Sequence, residues 1–263
     1  MKIALISFFP VWEDKDASKK KAENLLVSIS NLKIDWVIFP EMTLTGFTMN
    51  SEKCAEEFQG SQSILFFSEC AEKFGIYISF GVALKKGGKP TNNLVTLSPN
   101  GDLISNYAKI HPFSYANEDK YYTGDSQLVS ALINDIPVGM SICYDLRFPE
   151  IFQALSKSNE IIINIASWPA RRESHWNTFL QARAIENQVF FIGVNRTGID
   201  GNNIEYHKSS AIFDPEGAKL QPMEISPEVD IFKIDVSKVN YYRDSFPVKK
   251  DRKIDLYRTF YEA

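Results

Sequence analysis

The sequence predicts an α/β protein with one mixed sheet or two sheets, whose faces are covered by helices. Two observations predict this class. Strand-like apolar segments alternate with segments of helical periodicity, and each half of the chain adds hairpin signals. Such an alternation favours layers of helices packed on sheets. No linker rich in proline, glycine or serine divides the chain, so we expect one domain over residues 1–263.

The elements of the first half follow from apolar runs, helical spacing and turn residues. KIALISFF is continuously apolar, which predicts a first strand buried on both faces. Gly75 is the residue type that commonly follows a helix C-terminus, and Pro-Asn-Gly-Asp is a strong hairpin signal. The predicted order is strand 2–9, helix 19–32, strand 35–41, helix 61–74, strand 76–84 and two strands around the turn at 99–102.

The second half repeats this order of elements without a repeat in sequence. Pro149 predicts a helix start, and Asp-Pro-Glu-Gly at 214–217 predicts a turn. The predicted order is strands 127–133 and 136–143, a helix from 149, strand 160–167, helix 172–187, strand 189–195 and a last strand at 230–236.

Composition excludes several functional classes. The 29 basic and 33 acidic residues give a net charge of −4, whereas a nucleic-acid or anionic-membrane surface needs a basic excess. No stretch reaches the ~18 apolar residues of a membrane span. The start of the chain lacks a cleavage site, so we interpret it as a strand rather than a signal peptide. Three cysteines without C-x-x-C spacing favour a reduced, cytoplasmic protein.

Several familiar motifs of catalysis and cofactor binding are absent from the sequence. GMSIC places Cys143 where the second glycine of a G-x-S-x-G serine-hydrolase elbow would stand. The three histidines are far apart and form no metal-binding pair, and no glycine-rich phosphate motif occurs. We therefore expect no metal and no nucleotide cofactor. A papain-like pairing of Cys143 with His175 or His207 stays open.

Polar residues follow apolar strands at three places, where α/β proteins build ligand crevices. They are Glu41, Lys109 and Cys143. A carboxylate directly after a buried strand suits proton transfer, a lysine can stabilise an oxyanion, and the amides of a helix starting near Pro149 would favour a cysteine thiolate. Solvated surface charges and a core cysteine fit these positions as well, so spacing alone indicates a cysteine hydrolase only weakly.

The segments FPEMTLTGF, YAKIHPF and CYDLRFPE resemble, in this order, the three catalytic blocks of the nitrilase superfamily, the carbon–nitrogen hydrolases. The stretch SWPARRESHWNTFLQARAIENQVFFIGVNRTGIDGNNIEY, with DPEGAKL, is similar to the omega-amidase branch. The resemblance extends from residue 1 to about residue 252.

The resemblance implies a four-layer αββα sandwich, no metal or organic cofactor and at least a homodimer. The C-terminal segment from about residue 240 would then pack on the domain or on the dimer partner. It also implies that Glu41 is the general base, Lys109 the oxyanion stabiliser and Cys143 the nucleophile. Glu118 matches a second glutamate that often follows the lysine in this family, although Asp119 is adjacent.

The substrate expectation depends on Arg147, four residues after Cys143, which matches the branch's carboxylate-binding arginine. The substrate-binding residues expected besides Arg147 are Tyr144, Phe47, Phe113 and Trp168. The function implied is that of an omega-amidase, which hydrolyses the terminal amide of 2-oxoglutaramate or 2-oxosuccinamate through a thioester. The alternatives are an amidase for another carboxylated amide such as deaminated glutathione, a nitrilase, and a non-catalytic binding protein on the same fold.

Overall fold

The computed structural model describes residues 1–85 and 87–262. The elements up to residue 121, in chain order, are β1 (Lys2–Ile6), α1 (Lys15–Ile29), β2 (Trp36–Ile38), α2 (Ser51–Cys54), β3 (Glu56–Glu57), α3 (Gln62–Phe74), β4 (Tyr77–Lys85), β5 (Thr91–Leu97), β6 (Leu103–Ala108) and α4 (Glu118–Tyr121). Short 3₁₀ helices cover Ser30–Leu32 and Ser114–Ala116.

The elements after residue 121 are β7 (Ser130–Ile133), β8 (Ile136–Ile142), α5 (Pro149–Leu155), β9 (Ile161–Ala166), α6 (Glu173–Asn187), β10 (Phe190–Asn195), β11 (Gly198–Ile199), β12 (Glu205–Tyr206), β13 (Ala211–Phe213), β14 (Glu224–Ile225), β15 (Val229–Lys233), α7 (Ser237–Ser245) and α8 (Ile254–Glu262). Further 3₁₀ helices cover Cys143–Arg147, Ala170–Arg172 and Val248–Asp251.

The strands form two mixed sheets and a small hairpin. The larger sheet has the order β14-β15-β1-β2-β4-β5-β6, with β3 beside β4, and the smaller has the order β13-β10-β9-β8-β7. The central strands of each sheet run parallel, whereas the strands toward the edges pair antiparallel. The first half of the chain thus supplies most of one sheet and the second half supplies the other.

Side-chain burial shows how these sheets are layered. On β1, Ile3 and Leu5 join the apolar core shared with the smaller sheet, whereas Ala4 and Ile6 join a separate core with α1 and α3. This alternation is the two-residue period of a strand that is covered on both faces. Trp176 and Leu180 of α6 cover the other face of the smaller sheet. The order of layers is helix, sheet, sheet, helix, so the expected αββα sandwich is confirmed.

Most predicted elements are present, with small differences at their ends. Helix α1 begins at Lys15 rather than near residue 19, because the Asp14 side chain accepts a hydrogen bond from the Ala17 amide and caps the helix. Gly75 follows α3 with a φ of 64°, as its residue type predicts. No helix of the described residues is long and apolar enough to cross a membrane.

Candidate active site

Four of the predicted residues meet at one end of the sandwich. Glu41 follows β2, Lys109 follows β6 and Glu118 opens α4, while Cys143 comes directly after β8 of the other sheet. The Glu41, Lys109 and Glu118 residues are at most 1% exposed, and Cys143 is 9% exposed. The site is therefore built across the two sheets, from both halves of the chain.

Glu41, Lys109 and Glu118 form a buried charge cluster. The Lys109 ammonium donates to Glu41 Oε1 over 3.0 Å and to Glu118 Oε2 over 2.8 Å. Burial alone would lower the pKa of Lys109, but the two carboxylates outweigh it and raise that pKa above its ordinary value. The lysine stays charged because both partners are fixed beside it.

Asn92, at the start of β5, links the two carboxylates of the cluster. Its Nδ2 donates to Glu41 Oε1 over 2.7 Å and to Glu118 Oε1 over 2.9 Å. Backbone amides complete the set, since Ser167 N–H donates to Glu41 Oε2 over 2.8 Å and Phe113 N–H to Glu118 Oε2 over 2.6 Å. These bonds fix both carboxylates in place beside the Lys109 ammonium.

Gly81 on β4 allows the backbone to pass close to Glu41. A Cβ atom at this position would lie 2.3 Å from the Met42 nitrogen and 2.7 Å from the Glu41 Cα. Met42 itself has a φ of 45°, which turns the chain sharply after the glutamate. The lack of a side chain at Gly81 therefore lets the Glu41–Met42 backbone pack directly against β4.

Cys143 lies at a sharp turn between β8 and a 3₁₀ helix. Its φ is 44°, a left-handed conformation that non-glycine residues adopt rarely. Asp145 supports the turn, because its Oδ2 accepts bonds from Ile142 N–H over 3.0 Å and from the Tyr107 hydroxyl over 2.7 Å. Asp145 Oδ1 also lies 2.9 Å from His111 Nδ1 and accepts a bond from the His111 amide. One buried carboxylate thus ties the Cys143 turn to the Lys109 segment.

The expectation that a helix N-terminus favours the Cys143 thiolate is wrong. Helix α5 does begin at Pro149, but Cys143 opens its own 3₁₀ helix and is buried. Burial and the neighbouring Glu41 raise the pKa of the Cys143 thiol well above its ordinary value, although Lys109 opposes this. The resting cysteine is a neutral thiol, so it needs a base to become a nucleophile.

A cavity of about 240 Å³ opens above Cys143. All five expected substrate-binding residues line it, namely Phe47, Phe113, Tyr144, Arg147 and Trp168. The Phe47 ring centroid lies 5.4 Å from the Lys109 ammonium, so this lining residue also contacts the charge cluster.

The sequence reasoning did not identify several other residues of the cavity. Two of them are further arginines, Arg171 and Arg172, and two others, Ile204 and Tyr206, belong to the β11–β12 hairpin. The remaining lining residues are Tyr115, Ala116, Ser167 and Pro169. The repeated arginine of WPARR was the signal that could have indicated a more cationic wall. The described arginine–carboxylate ion pairs are Arg183–Glu186 and Arg258–Asp255, so the three cavity arginines lack an acidic partner among the described residues.

The remaining cysteines, His175 and His207 lie outside this arrangement. Cys54 and Cys70 are both buried, Cys70 in the apolar core with α1 and α3, and burial raises the pKa of Cys70 to about 11. His207 pairs with Glu173 on the surface. Neither His175 nor His207 lines the cavity over Cys143, which argues against a papain-like pair. Among the residues the structure describes, no group of three His, Cys, Asp or Glu side chains could hold a metal ion.

Comparison with known proteins is consistent with this geometry. The family model for carbon-nitrogen hydrolases matches residues 2–244. The chain is 30% identical to the hydrolase in the agr operon of Staphylococcus aureus, over 98% of this chain and 100% of that protein. It is 32% identical to 2-oxoglutaramate amidase of Bacillus subtilis, over 90% of this chain and 92% of that protein.

A solved structure supports the same relationship. The CN-hydrolase superfamily protein XC1258 from Xanthomonas campestris superposes with a TM-score of 0.88 at 27% identity. The alignment covers 96% of this chain and 97% of that one.

Proposed function

The chain belongs to the carbon-nitrogen hydrolase family, and from this premise we propose that it is an omega-amidase that acts through Cys143. It would hydrolyse the terminal amide of a small 2-oxo acid, such as 2-oxoglutaramate or 2-oxosuccinamate, to a dicarboxylate and ammonia. The observation that carries the proposal is the neutral buried thiol beside the cluster of Glu41, Lys109 and Glu118, at the base of a cationic cavity.

In the first half of the reaction, Glu41 takes the thiol proton and the Cys143 sulfur attacks the amide carbon. The tetrahedral oxyanion is stabilised by the Lys109 ammonium and by the Tyr144 amide. That amide lies in the first turn of a 3₁₀ helix, where N–H groups have no partner within the helix. A donor of this kind contributes about 3–4 kcal/mol to transition-state stabilisation.

In the second half, Glu41 returns the proton to the substrate nitrogen and ammonia leaves, so that a thioester remains on Cys143. Water then gives a proton to Glu41 and attacks the thioester carbon, while Glu118 and Lys109 keep the Glu41 carboxylate in place. The C–S bond breaks, Glu41 returns the proton to the leaving Cys143 sulfur, and the carboxylic acid product leaves as a carboxylate. Asn92 and Lys109 each bind both glutamates, so Glu118 and Glu41 belong to one hydrogen-bond network. This network supports a role for Glu118 in positioning Glu41, which handles the protons.

The substrate class follows from the shape and charge of the cavity. Aromatic rings and three arginines line it, and no acidic side chain is among its described lining residues. Such a cavity suits a flat, small anion, and the Arg147 guanidinium can bind a carboxylate through two hydrogen bonds. The name of the Bacillus subtilis relative, 2-oxoglutaramate amidase, supports this substrate class.

A substrate panel tests the proposal. Purified protein should release ammonia from 2-oxoglutaramate, and Cys143→Ala should abolish the release while the circular dichroism spectrum stays that of the wild type. Normal turnover by Cys143→Ala would exclude the mechanism. Turnover of deaminated glutathione or of a nitrile, with none of either 2-oxo acid amide, would exclude the substrate class and retain the nucleophile.

We also propose that the chain is a single domain that acts in the cytoplasm as a homodimer. Unpaired cysteines support a reducing compartment.

Helix α7 packs on the domain through Arg243, whose guanidinium donates to the carbonyls of Gln188 and Asn159. Exposed apolar side chains of α8, such as Leu256 and Phe260, support a contact with a second copy. Sedimentation analysis of the full chain and of a chain ending at residue 252 measures this contact.

A further inference from the structure

Five residues that line the cavity form a closed ring of contacts, which we call the collar: Phe113, Tyr144, Arg147, Trp168 and Arg172. The Arg147 guanidinium lies 4.8 Å from the Trp168 ring centroid and 6.0 Å from that of Tyr144. The Tyr144 and Phe113 centroids are 4.8 Å apart.

The second side of the collar is built around Arg172. Its guanidinium lies 5.5 Å from the Phe113 ring centroid, and its carbonyl accepts a 2.7 Å hydrogen bond from Trp168 Nε1. The ring of contacts therefore carries two guanidiniums, each oriented by aromatic side chains.

Among the described residues, no carboxylate forms an ion pair with either arginine of the collar. Burial, Arg171 and Arg147 all lower the pKa of Arg172, which means that the arginines repel one another. Like charges held together without a counter-ion cost free energy, and an anion bound between them removes that cost. We therefore expect the ligand to supply the negative charge that balances the two arginines.

We infer that Arg172 is a second carboxylate-binding residue, so that the 2-oxo acid end of the substrate is held between the guanidiniums of Arg147 and Arg172. This inference rests on the proposed omega-amidase function and deepens it. Arg147 alone would accept many anions, whereas two guanidiniums set among aromatic side chains select a planar carboxylate with a carbonyl beside it. Arg172 is thus a specificity-determining residue for the carboxylate end.

A matched pair of substrates tests the inference. 4-Oxopentanamide is identical to 2-oxoglutaramate except that a methyl group replaces the carboxylate. In Arg172→Gln, kcat/KM for 2-oxoglutaramate should fall about 10- to 100-fold relative to kcat/KM for 4-oxopentanamide, mainly through KM, because a charged hydrogen bond is lost. Arg172→Lys should recover part of the loss, since an ammonium supplies the charge without the planar fork.

Arg171→Gln is the matched control, because it removes the same charge one residue away. Arg171 also lines the cavity, but its side chain is exposed and lies outside the collar, so we expect it to add a solvent-screened charge rather than a hydrogen bond to the carboxylate. Its effect on the substrate ratio should stay below about threefold and vanish at high salt, as expected for a screened charge. The inference is overturned if Arg171→Gln changes the ratio of the two kcat/KM values as much as Arg172→Gln does. It is also overturned if Arg172→Gln leaves that ratio unchanged, including the case in which kcat/KM falls equally for both substrates.

Two further measurements separate this inference from the proposed function. In a double-mutant cycle, the effects of Arg147→Gln and Arg172→Gln on the free energy from kcat/KM should be non-additive, because both arginines bind one carboxylate. If the two effects simply add, the arginines do not share a carboxylate and the inference is wrong. Calorimetry with 2-oxoglutarate on the Cys143→Ala protein needs no turnover. Adding Arg172→Gln there should weaken binding about tenfold or more, and equal or absent binding in both proteins overturns the inference. Failure to hydrolyse 2-oxoglutaramate alongside normal 2-oxoglutarate binding would exclude only the proposed function.

Discussion

The buried charge cluster and the collar are two charged regions next to Cys143, and they are organised in opposite ways. In the cluster, one lysine is paired with two carboxylates that are sealed from solvent. In the collar, two arginines lie at the cavity without an acidic partner among the described residues. Paired charges suit chemistry that is the same for every substrate, whereas unpaired charges suit recognition of the charge that a substrate brings.

The largest effect should come from breaking the cluster with Lys109→Met. We expect ammonia release to fall about 10³-fold or more, because the oxyanion loses its cation. The free energy of unfolding should also fall by about 3–5 kcal/mol, because two carboxylates are left buried together. Steady-state kinetics and urea unfolding measure both effects.

Lys73→Met is the control for this stability change. Lys73 pairs with Glu23 over 2.7 Å, but the two side chains are 54% and 44% exposed. Its effect on the free energy of unfolding should be far smaller than that of Lys109→Met, because a solvated ion pair contributes little to stability. Equal destabilisation by the two variants would contradict the distinction between a sealed and a solvated ion pair.

Glu118→Gln should have the next largest effect. The substitution keeps an oxygen for the Asn92 bond but removes the charge beside Lys109, so kcat should fall about 10²-fold with KM within about threefold. Asp119→Asn changes the adjacent acid, which is exposed, and should leave kcat at the wild-type value. The reverse result would assign the second carboxylate to Asp119.

Arg147→Gln tests the collar side of the comparison. It should raise KM for 2-oxoglutaramate about tenfold or more, because the carboxylate loses a charged hydrogen bond, while kcat changes less than about threefold. Kinetics on the same substrate panel measures it. A loss confined to kcat would place Arg147 with the chemical machinery and remove the distinction between the two regions.

The smallest expected effect is the pH dependence that Cys143 adds to stability. The folded-state pKa of this thiol is raised, so the folded protein keeps a proton that the unfolded chain loses above about pH 9. Stability should therefore fall more steeply above pH 9 in the wild type than in Cys143→Ala, by up to about 1.4 kcal/mol per pH unit. Urea unfolding from pH 7 to pH 10.5 measures the difference, and parallel curves would contradict a buried neutral thiol.

Sequence patterns identified the ends of strands better than the contacts between them. Glu41, Lys109 and Cys143 stand out because each follows an apolar run, and this position depends only on the local sequence. Asn92 was missed because its role depends on two glutamates that are far away in the chain. Arg172 was missed because an arginine before a helix is an ordinary surface residue in sequence.

The thiol shows why position along the chain does not determine chemistry. Its place before the Pro149 helix suggested a stabilised thiolate, but helix amides act only over the first turn. Burial between the sheets and a neighbouring carboxylate dominate instead, and neither is visible in the local sequence. The prediction of four layers likewise depended on the family resemblance, because the alternation of helices and strands in the sequence is compatible with one sheet or with two.

The division of the site between the two sheets has an evolutionary consequence. The distance from Cys143 to Glu41 depends on the thickness of the core between the sheets, where Ile38, Tyr107 and Ile142 pack. Interiors are packed densely enough that one methylene more or less shifts its surroundings, and catalysis is sensitive to such shifts. Natural variation at these apolar positions could therefore retune the turnover rate among descendants of this gene while every residue that meets the substrate stays the same.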